Sequence, residues 1–199
     1  MKLCVYTVGL PEYNIEESAA LLKELGYTGV EWRVDRFGNM RQYFPKDIDE
    51  YAVRYWLDNK STLNIDNIME ECLRAKKACD ENGLEIVNLA TSVGYDAETL
   101  EKVLAAAAAI GCKSIRGPMG QFNAAKPYAE QFEEQRALMR SVEPLLKKYG
   151  VKMLIETHHG MMIASASSGR RMLEGFDPNC FGLIFDPGNM VYEGFEEYR

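Results

Sequence analysis

One pattern recurs along the chain and constrains its fold more than any other feature. A helical segment ends at a glycine, and a short apolar run begins shortly after it, as in ELGYTGVE, ENGLEIVN, AIGCKSIR and KYGVKMLIE. Glycine commonly follows the last turn of a helix, and short apolar runs that alternate with helices are typical of parallel strands covered on both faces. The pattern therefore predicts an α/β protein.

Six strand–helix units follow from this pattern. Strands are predicted at 2–8, 28–34, 84–90, 112–117, 151–156 and 181–186, and Asn14 with Glu17 is predicted to cap the first helix as a capping box. Residues 35–64 interrupt the spacing with a stretch rich in aromatic and charged residues. An insertion after the second strand lies where α/β proteins bind ligands, but a surface embellishment explains it equally well.

Two architectures accommodate these units: a doubly wound open sheet and a (β/α)8 TIM barrel. The turn after the first strand, TVGLPEYN, contains neither G-x-G-x-x-G nor a P-loop, so a nucleotide-binding doubly wound sheet is disfavoured. We therefore expect a (β/α)8 TIM barrel of which about six β/α units are present. Residues 1–199 are expected to form a single domain that lacks the last two units.

The composition indicates which partners are disfavoured and which cellular compartment is expected. The net charge of -7 without a basic stripe argues against a nucleic-acid partner, and no run approaches the roughly 20 apolar residues of a membrane span. The five cysteines are odd in number and lack a C-x-x-C pair, which disfavours disulfides and a zinc ribbon. A cytoplasmic location is the expectation.

Two predicted strands end in an acid. MLIETHHG places Glu156 at the end of the fifth strand, and FGLIFDPGN places Asp186 at the end of the sixth. Acids at the carboxyl ends of adjacent parallel strands converge, and two neighbouring carboxylates repel unless a cation lies between them. The pair therefore predicts a divalent metal site for Mn²⁺, Mg²⁺ or Co²⁺, with Zn²⁺ or Fe²⁺ also compatible. Helix capping or a salt bridge across a loop is the alternative role for these acids.

Four further residues are candidates for substrate binding: His158, Asn189, Glu31 and Arg116. If the strand continues past Glu156, His158 lies on the same side as that acid and His159 points away as a loop residue. Glu31 and Arg116 interrupt apolar strands and either line a ligand pocket or pair with other charges inside the barrel.

The segments GYTGVEW (26–32), YGVKMLIETH (149–158) and FDPGN (185–189) resemble the xylose isomerase-like TIM-barrel family. These are sugar isomerases and epimerases that share a fold with the AP endonucleases. The resemblance implies a divalent metal held by Glu156 and Asp186, together with a histidine and an acid from two further strands beyond Arg199. Asn189 departs from the family, since several members carry histidine there. The endonuclease branch needs many histidines, and this chain has two.

The resemblance implies an isomerase or epimerase acting on a small sugar or sugar phosphate, with Glu156 as the general base that forms an enediolate. A keto-polyol dehydratase would share the first step and remains the alternative. A truncated, non-catalytic binding or assembly module is also open, because a six-strand open barrel exposes two sheet edges. A homo-oligomer is expected.

Overall fold

The computed structural model describes residues 2–37, 39–118 and 120–192, with Asn39 and Tyr192 described by their backbone alone. The strands are β1 (Cys4–Tyr6), β2 (Gly29–Asp35), β3 (Leu63–Asn64), β4 (Glu85–Thr91), β5 (Ser114–Arg116), β6 (Lys152–Glu156) and β7 (Phe181–Ile184). The α-helices are α1 (Ile15–Glu24), α2 (Arg54–Leu57), α3 (Ile68–Asn82), α4 (Ala97–Ala109), α5 (Tyr128–Tyr149), α6 (Ala166–Leu173) and α7 (Pro187–Tyr192).

The strands form one parallel sheet in the order β1-β2-β4-β5-β6-β7. This is the order of a (β/α)8 barrel in which each strand pairs with the next one in the chain, so the predicted fold class is confirmed as a partial barrel. The short β3 was not predicted and pairs with the end of β2 through Val34 and Leu63. Within the described residues β1 and β7 are the edges of the main path.

Local sequence signals explain where the helices begin and end. The predicted capping box at α1 is confirmed: Glu17 N donates to Asn14 Oδ1 at 2.9 Å, and Asn14 N donates to Glu17 Oε2 at 2.9 Å. Helices α3 and α5 end at Gly83 and Gly150, whose φ angles of 68° and 61° suit a residue without a Cβ. The glycine stops then turn the chain directly into β4 and β6.

The core lies between the sheet and the helices, because alternate residues of each strand face the helical layer. On β2 these are Val30, Trp32 and Val34, and on β6 they are Met153 and Ile155, each at most 1% exposed. Burying one such side chain contributes about 1.5–3 kcal/mol relative to leaving it exposed. The opposite faces of the same strands point into the barrel and carry the polar residues.

Several boundaries differ from the prediction. The first strand covers only Cys4–Tyr6, because the chain turns into a 3-10 helix at Thr7–Gly9. Strand β7 ends at Ile184, so Asp186 lies in the turn before α7 and is not the last strand residue. The insertion 35–64 contains α2 and β3. In the described ranges, none of the helices has the length and apolar content that crossing a membrane requires.

Candidate active site

The carboxyl ends of β5, β6 and β7 bring charged side chains together inside the barrel. Parallel register pairs Arg116 with Leu154, two residues before Glu156, and pairs Glu156 with Ile184, two residues before Asp186. Because residues two apart on a strand share a face, this register aims Arg116 and Glu156 into the same interior. The hydrogen bond from Asp186 N to Thr157 Oγ1, at 3.0 Å, ties the turn after β7 to the end of β6.

The two candidate metal ligands share one hydrogen-bond donor. Asn189 Nδ2 donates to Asp186 Oδ2 at 2.8 Å and to Glu156 Oε1 at 3.2 Å. The backbone N–H of Asn189 donates to the other oxygen, Asp186 Oδ1, at 3.0 Å. The expected convergence of the two acids is thus present in the structure, and Asn189 lies directly between them.

Arg116 pairs with Glu156 from the β5 side. Its Nη1 lies 2.8 Å from Glu156 Oε2, and its Nη2 lies 3.3 Å from the hydroxyl of Tyr6 on β1. Burial raises the pKa of the Glu156 carboxyl, and the nearby Asp186 carboxylate also raises it, while the Arg116 guanidinium acts in the opposite direction. The net effect is a raised pKa, the direction that suits a carboxylate used as a general base near neutral pH.

Glu31 belongs to a second polar network deeper in the barrel. Asn88 Nδ2 donates to Glu31 Oε1 at 2.8 Å, and Ser114 Oγ donates to Asn88 Oδ1 at 2.8 Å. The structure therefore places Glu31 on the interior face of β2, but its hydrogen bond goes to Asn88, a residue of the neighbouring strand.

Sequence reasoning missed a buried ion pair on the same face of β2. Arg33 Nη2 lies 2.7 Å from Asp35 Oδ2, and the two side chains are only 6% and 5% exposed. Arg33 Nη1 also donates to Thr62 Oγ1 at 2.8 Å, and Ser92 Oγ donates to Asp35 Oδ1 at 2.7 Å. The alternation of polar residues at 31, 33 and 35 within GVEWRVD was the signal that could have revealed this pair.

The expectation for the two histidines was wrong in part. Strand β6 ends at Glu156, so strand alternation does not extend to positions 158 and 159. His159 does not point away from the site, because its Nδ1 lies 3.0 Å from Asn189 Oδ1. His158 stacks on His159 with ring centroids 4.4 Å apart, and its Nδ1 lies 2.8 Å from the carbonyl oxygen of His159. Since a carbonyl only accepts, this contact is a hydrogen bond when His158 Nδ1 carries a proton, and in that tautomer of the neutral ring Nε2 is the acceptor.

The charge balance of the interior favours a cation. Among the described residues, the site and the adjoining face of β2 carry four carboxylates and two guanidinium groups: Glu31, Asp35, Glu156 and Asp186, with Arg33 and Arg116. These six groups have a formal net charge of −2. The available donor atoms are carboxylate oxygens, which suit hard divalent ions, so the residues present fit such a metal.

A second acidic group lies at the opposite end of the sheet and has a different character. Glu143, Asp177 and Cys180 offer three ligand atoms within 4.8 Å of one another. The ammonium group of Lys147 lies 2.8 Å from Glu143 Oε1 and 3.8 Å from Asp177 Oδ2. The positive charge of this lysine therefore already offsets the negative charge of the cluster. We therefore place the candidate active site at Glu156 and Asp186.

Several solved structures share the fold of this chain. The chain matches 3-keto-D-glucoside 4-epimerase from E. coli with a TM-score of 0.70 at 17% identity, over 100% of this chain and 72% of the epimerase. It matches a probable 3-DHS dehydratase from Bacillus anthracis with a TM-score of 0.67 at 20% identity, over 98% and 66% of the two chains. A structure of the IolI protein with a bound zinc atom gives a TM-score of 0.62 at 16% identity, over 96% and 64%.

At such identities these structures establish the fold, and the chain spans about two thirds of their length. Among curated protein sequences none matches this chain. The family model for the xylose isomerase-like TIM barrel matches residues 19–199, which is most of the sequence. This match agrees with the parallel partial barrel and with the interior acids at the carboxyl ends of its strands. The chain belongs to the xylose isomerase-like TIM-barrel family.

Proposed function

We propose that this chain carries the general base and two metal ligands of a sugar or sugar phosphate isomerase or epimerase. One observation carries the proposal: the carboxylates of Glu156 and Asp186 converge on a single amide at the carboxyl end of the barrel, where TIM barrels place their chemistry. The histidine and the acid that the family resemblance adds to this ligand set remain predictions.

Glu156 and Asp186 are the residues that would hold the divalent cation, with Mn²⁺, Mg²⁺ or Co²⁺ preferred and Zn²⁺ or Fe²⁺ also compatible with the family. When bound, such an ion supplies Lewis-acid polarisation of a substrate carbonyl. Glu156 would serve as the base that removes a proton from the hydroxyl-bearing carbon beside a substrate carbonyl, and the product of this step would be an enediolate. Its raised pKa keeps the acquired proton available for return to carbon.

The remaining interior residues would bind and orient the substrate. His158 Nε2 is an acceptor for a sugar hydroxyl, because its Nδ1 proton is already engaged with a backbone carbonyl. Arg116 keeps Glu156 oriented and presents positive charge beside the developing oxygen anion. Asn189 and Glu31 offer an amide and a carboxylate toward other hydroxyl groups of a small polar substrate.

A dehydratase is the second enzymatic candidate, and the fold shared with a probable 3-DHS dehydratase favours keeping it. The first proton abstraction would be the same, and loss of a neighbouring hydroxyl would follow. A third candidate is a non-catalytic module that assembles into a homo-oligomer through β1 and β7, the edge strands of the sheet in the described part of the chain. Five cysteines without a disulfide fit the proposed cytoplasmic location.

The test combines metal analysis with turnover of the purified chain on a panel of ketoses, sugar phosphates and keto-polyols. We expect Mn²⁺-dependent exchange of the proton beside the carbonyl with solvent deuterium, and loss of that exchange in Glu156→Gln. Glu98→Gln is the matched control, because Glu98 lies on α4 with an 80% exposed side chain. Exchange that persists in Glu156→Gln would remove Glu156 from the mechanism, and release of a dehydrated product would select the lyase.

A further inference from the structure

The amide of Asn189 occupies a position that resembles a cation site. Its Nδ2 is surrounded by three oxygens: Asp186 Oδ2 at 2.8 Å, Glu156 Oε1 at 3.2 Å and the Thr157 carbonyl at 3.4 Å. All three atoms are acceptors, and two of them belong to the carboxylates expected to hold the metal. An N–H donor carries partial positive charge, so it relieves the repulsion between these acids as a cation would.

The orientation of this amide follows from the chemistry of its neighbours. If the amide were turned around, its carbonyl oxygen would face two carboxylates, which can only accept hydrogen bonds. The Oδ1 atom must therefore point the other way, toward His159 Nδ1 at 3.0 Å. That contact is a hydrogen bond only when His159 carries its proton on Nδ1, so the imidazole donates to the amide oxygen and holds the amide in place.

We propose that the Asn189 amide, held by His159, competes with the divalent cation for the carboxylates of Glu156 and Asp186. This inference rests on the proposed metal-dependent function and adds a means of setting cation affinity at the same site. Asn189 is the competing group, and His159 is a positioning residue that acts only through it. Their arrangement makes the cation displace two hydrogen bonds to charged acceptors before it can bind.

Competition and simple structural support predict opposite results. Hydrogen bonds to charged groups are stronger than those between neutral groups, so removing the amide in Asn189→Ala should tighten Mn²⁺ binding by about tenfold or more, which corresponds to about 1.4 kcal/mol. If Asn189 merely kept the two acids in place, the same variant would bind Mn²⁺ more weakly. The direction of the change thus separates the two roles.

His159 offers a matched pair of substitutions. Phenylalanine keeps a ring to stack on His158 but has no donor, whereas the amide nitrogen of asparagine falls near the position of Nδ1. We expect His159→Phe to tighten Mn²⁺ binding by about threefold, because the amide loses one neutral hydrogen bond, which is weaker than a bond to a charged group. We expect His159→Asn to restore the affinity of the parent chain.

The experiment is equilibrium Mn²⁺ binding, followed by the EPR signal of the free ion at fixed pH, with circular dichroism to confirm that each variant is folded. Tighter binding in Asn189→Ala and His159→Phe supports the proposal. Unchanged or weaker binding in folded Asn189→Ala overturns it, and the proposed function stands if Glu156→Gln still abolishes binding. If the parent chain and every variant fail to bind Mn²⁺, both the competition and the metal-dependent function are refuted.

Discussion

The ion pair between Arg116 and Glu156 allows a quantitative test of how far charged contacts inside the barrel stabilise the fold. Their side chains are 18% and 12% exposed, and the 2.8 Å contact joins β5 to β6. Removing one partner of a fully buried pair costs about 3–5 kcal/mol, mainly because the other charge is left uncompensated. Here Arg116 also has Tyr6, and Glu156 also has Asn189, so each remaining charge would keep a partner.

We therefore expect Glu156→Gln and Arg116→Met each to lower the free energy of unfolding by about 2 kcal/mol, below the fully buried limit. The double variant should lose less than the sum, with a coupling energy of about 1–2 kcal/mol. Urea unfolding measures this directly: with an m-value of about 2 kcal/mol per M, each single variant shifts the midpoint down by about 1 M.

An exposed ion pair on α4 provides the control for these variants. Glu98 and Lys102 form an exposed pair on α4 with side chains 80% and 61% exposed, and Glu98→Gln should leave the urea midpoint unchanged. If both single variants at Arg116 and Glu156 shift the midpoint no more than this control, or if the double variant is strictly additive, the ion pair does not stabilise the barrel.

Two further predictions concern packing and accessibility. A Cβ at Gly29 would lie 2.8 Å from Cys4 Sγ and 3.0 Å from the Glu85 carbonyl oxygen, so Gly29→Ala should cost about 1–3 kcal/mol in urea unfolding. Gly9→Ala, with no atom within 4 Å of the added Cβ, should cost far less, and equal losses would contradict this packing. Burial raises the pKa of Cys72 to about 12 and that of Cys79 to about 11, while Cys4 is exposed. Mass spectrometry after brief maleimide treatment of the folded protein should therefore find Cys4 labelled first; early labelling of Cys72 would contradict the burial of its side chain on the inner face of α3.

The elements that could be predicted are those whose signals are local. The glycine stops, the capping box at Asn14 and the apolar run ending at Glu156 each depend on residues close together in sequence, and the structure places each one as expected. The same local reasoning missed β3, because a two-residue strand has no periodicity and depends on its pairing with Val34.

The contacts of the site join residues that are far apart in the sequence, and this separation explains the error at His159. Assigning its direction required strand geometry to continue beyond Glu156, but the chain leaves the strand and turns at Gly160, whose φ is 70°. The partner of His159 is Asn189, thirty residues away in the first turn of α7. No local pattern reports such a contact, whereas the pairing of Arg33 with Asp35 lay within one strand and was available from alternation.

Successive residues of a strand face opposite sides of the sheet, so in this barrel one side of β6 packs in the core and the other side carries the candidate site. Ile155 faces the helices and is fully buried, so a substitution there acts through packing. Glu156, the next residue, faces the interior and accepts hydrogen bonds from Arg116 and Asn189, so a substitution there acts through electrostatics. Glu156 accepts hydrogen bonds from Arg116 and Asn189, so a substrate or cation that takes the same oxygens exchanges these bonds for new ones. The affinity for a ligand therefore depends on the difference in free energy between the new bonds and the bonds that they replace. Residue 189 donates two of the replaced bonds, so its identity is important for affinity.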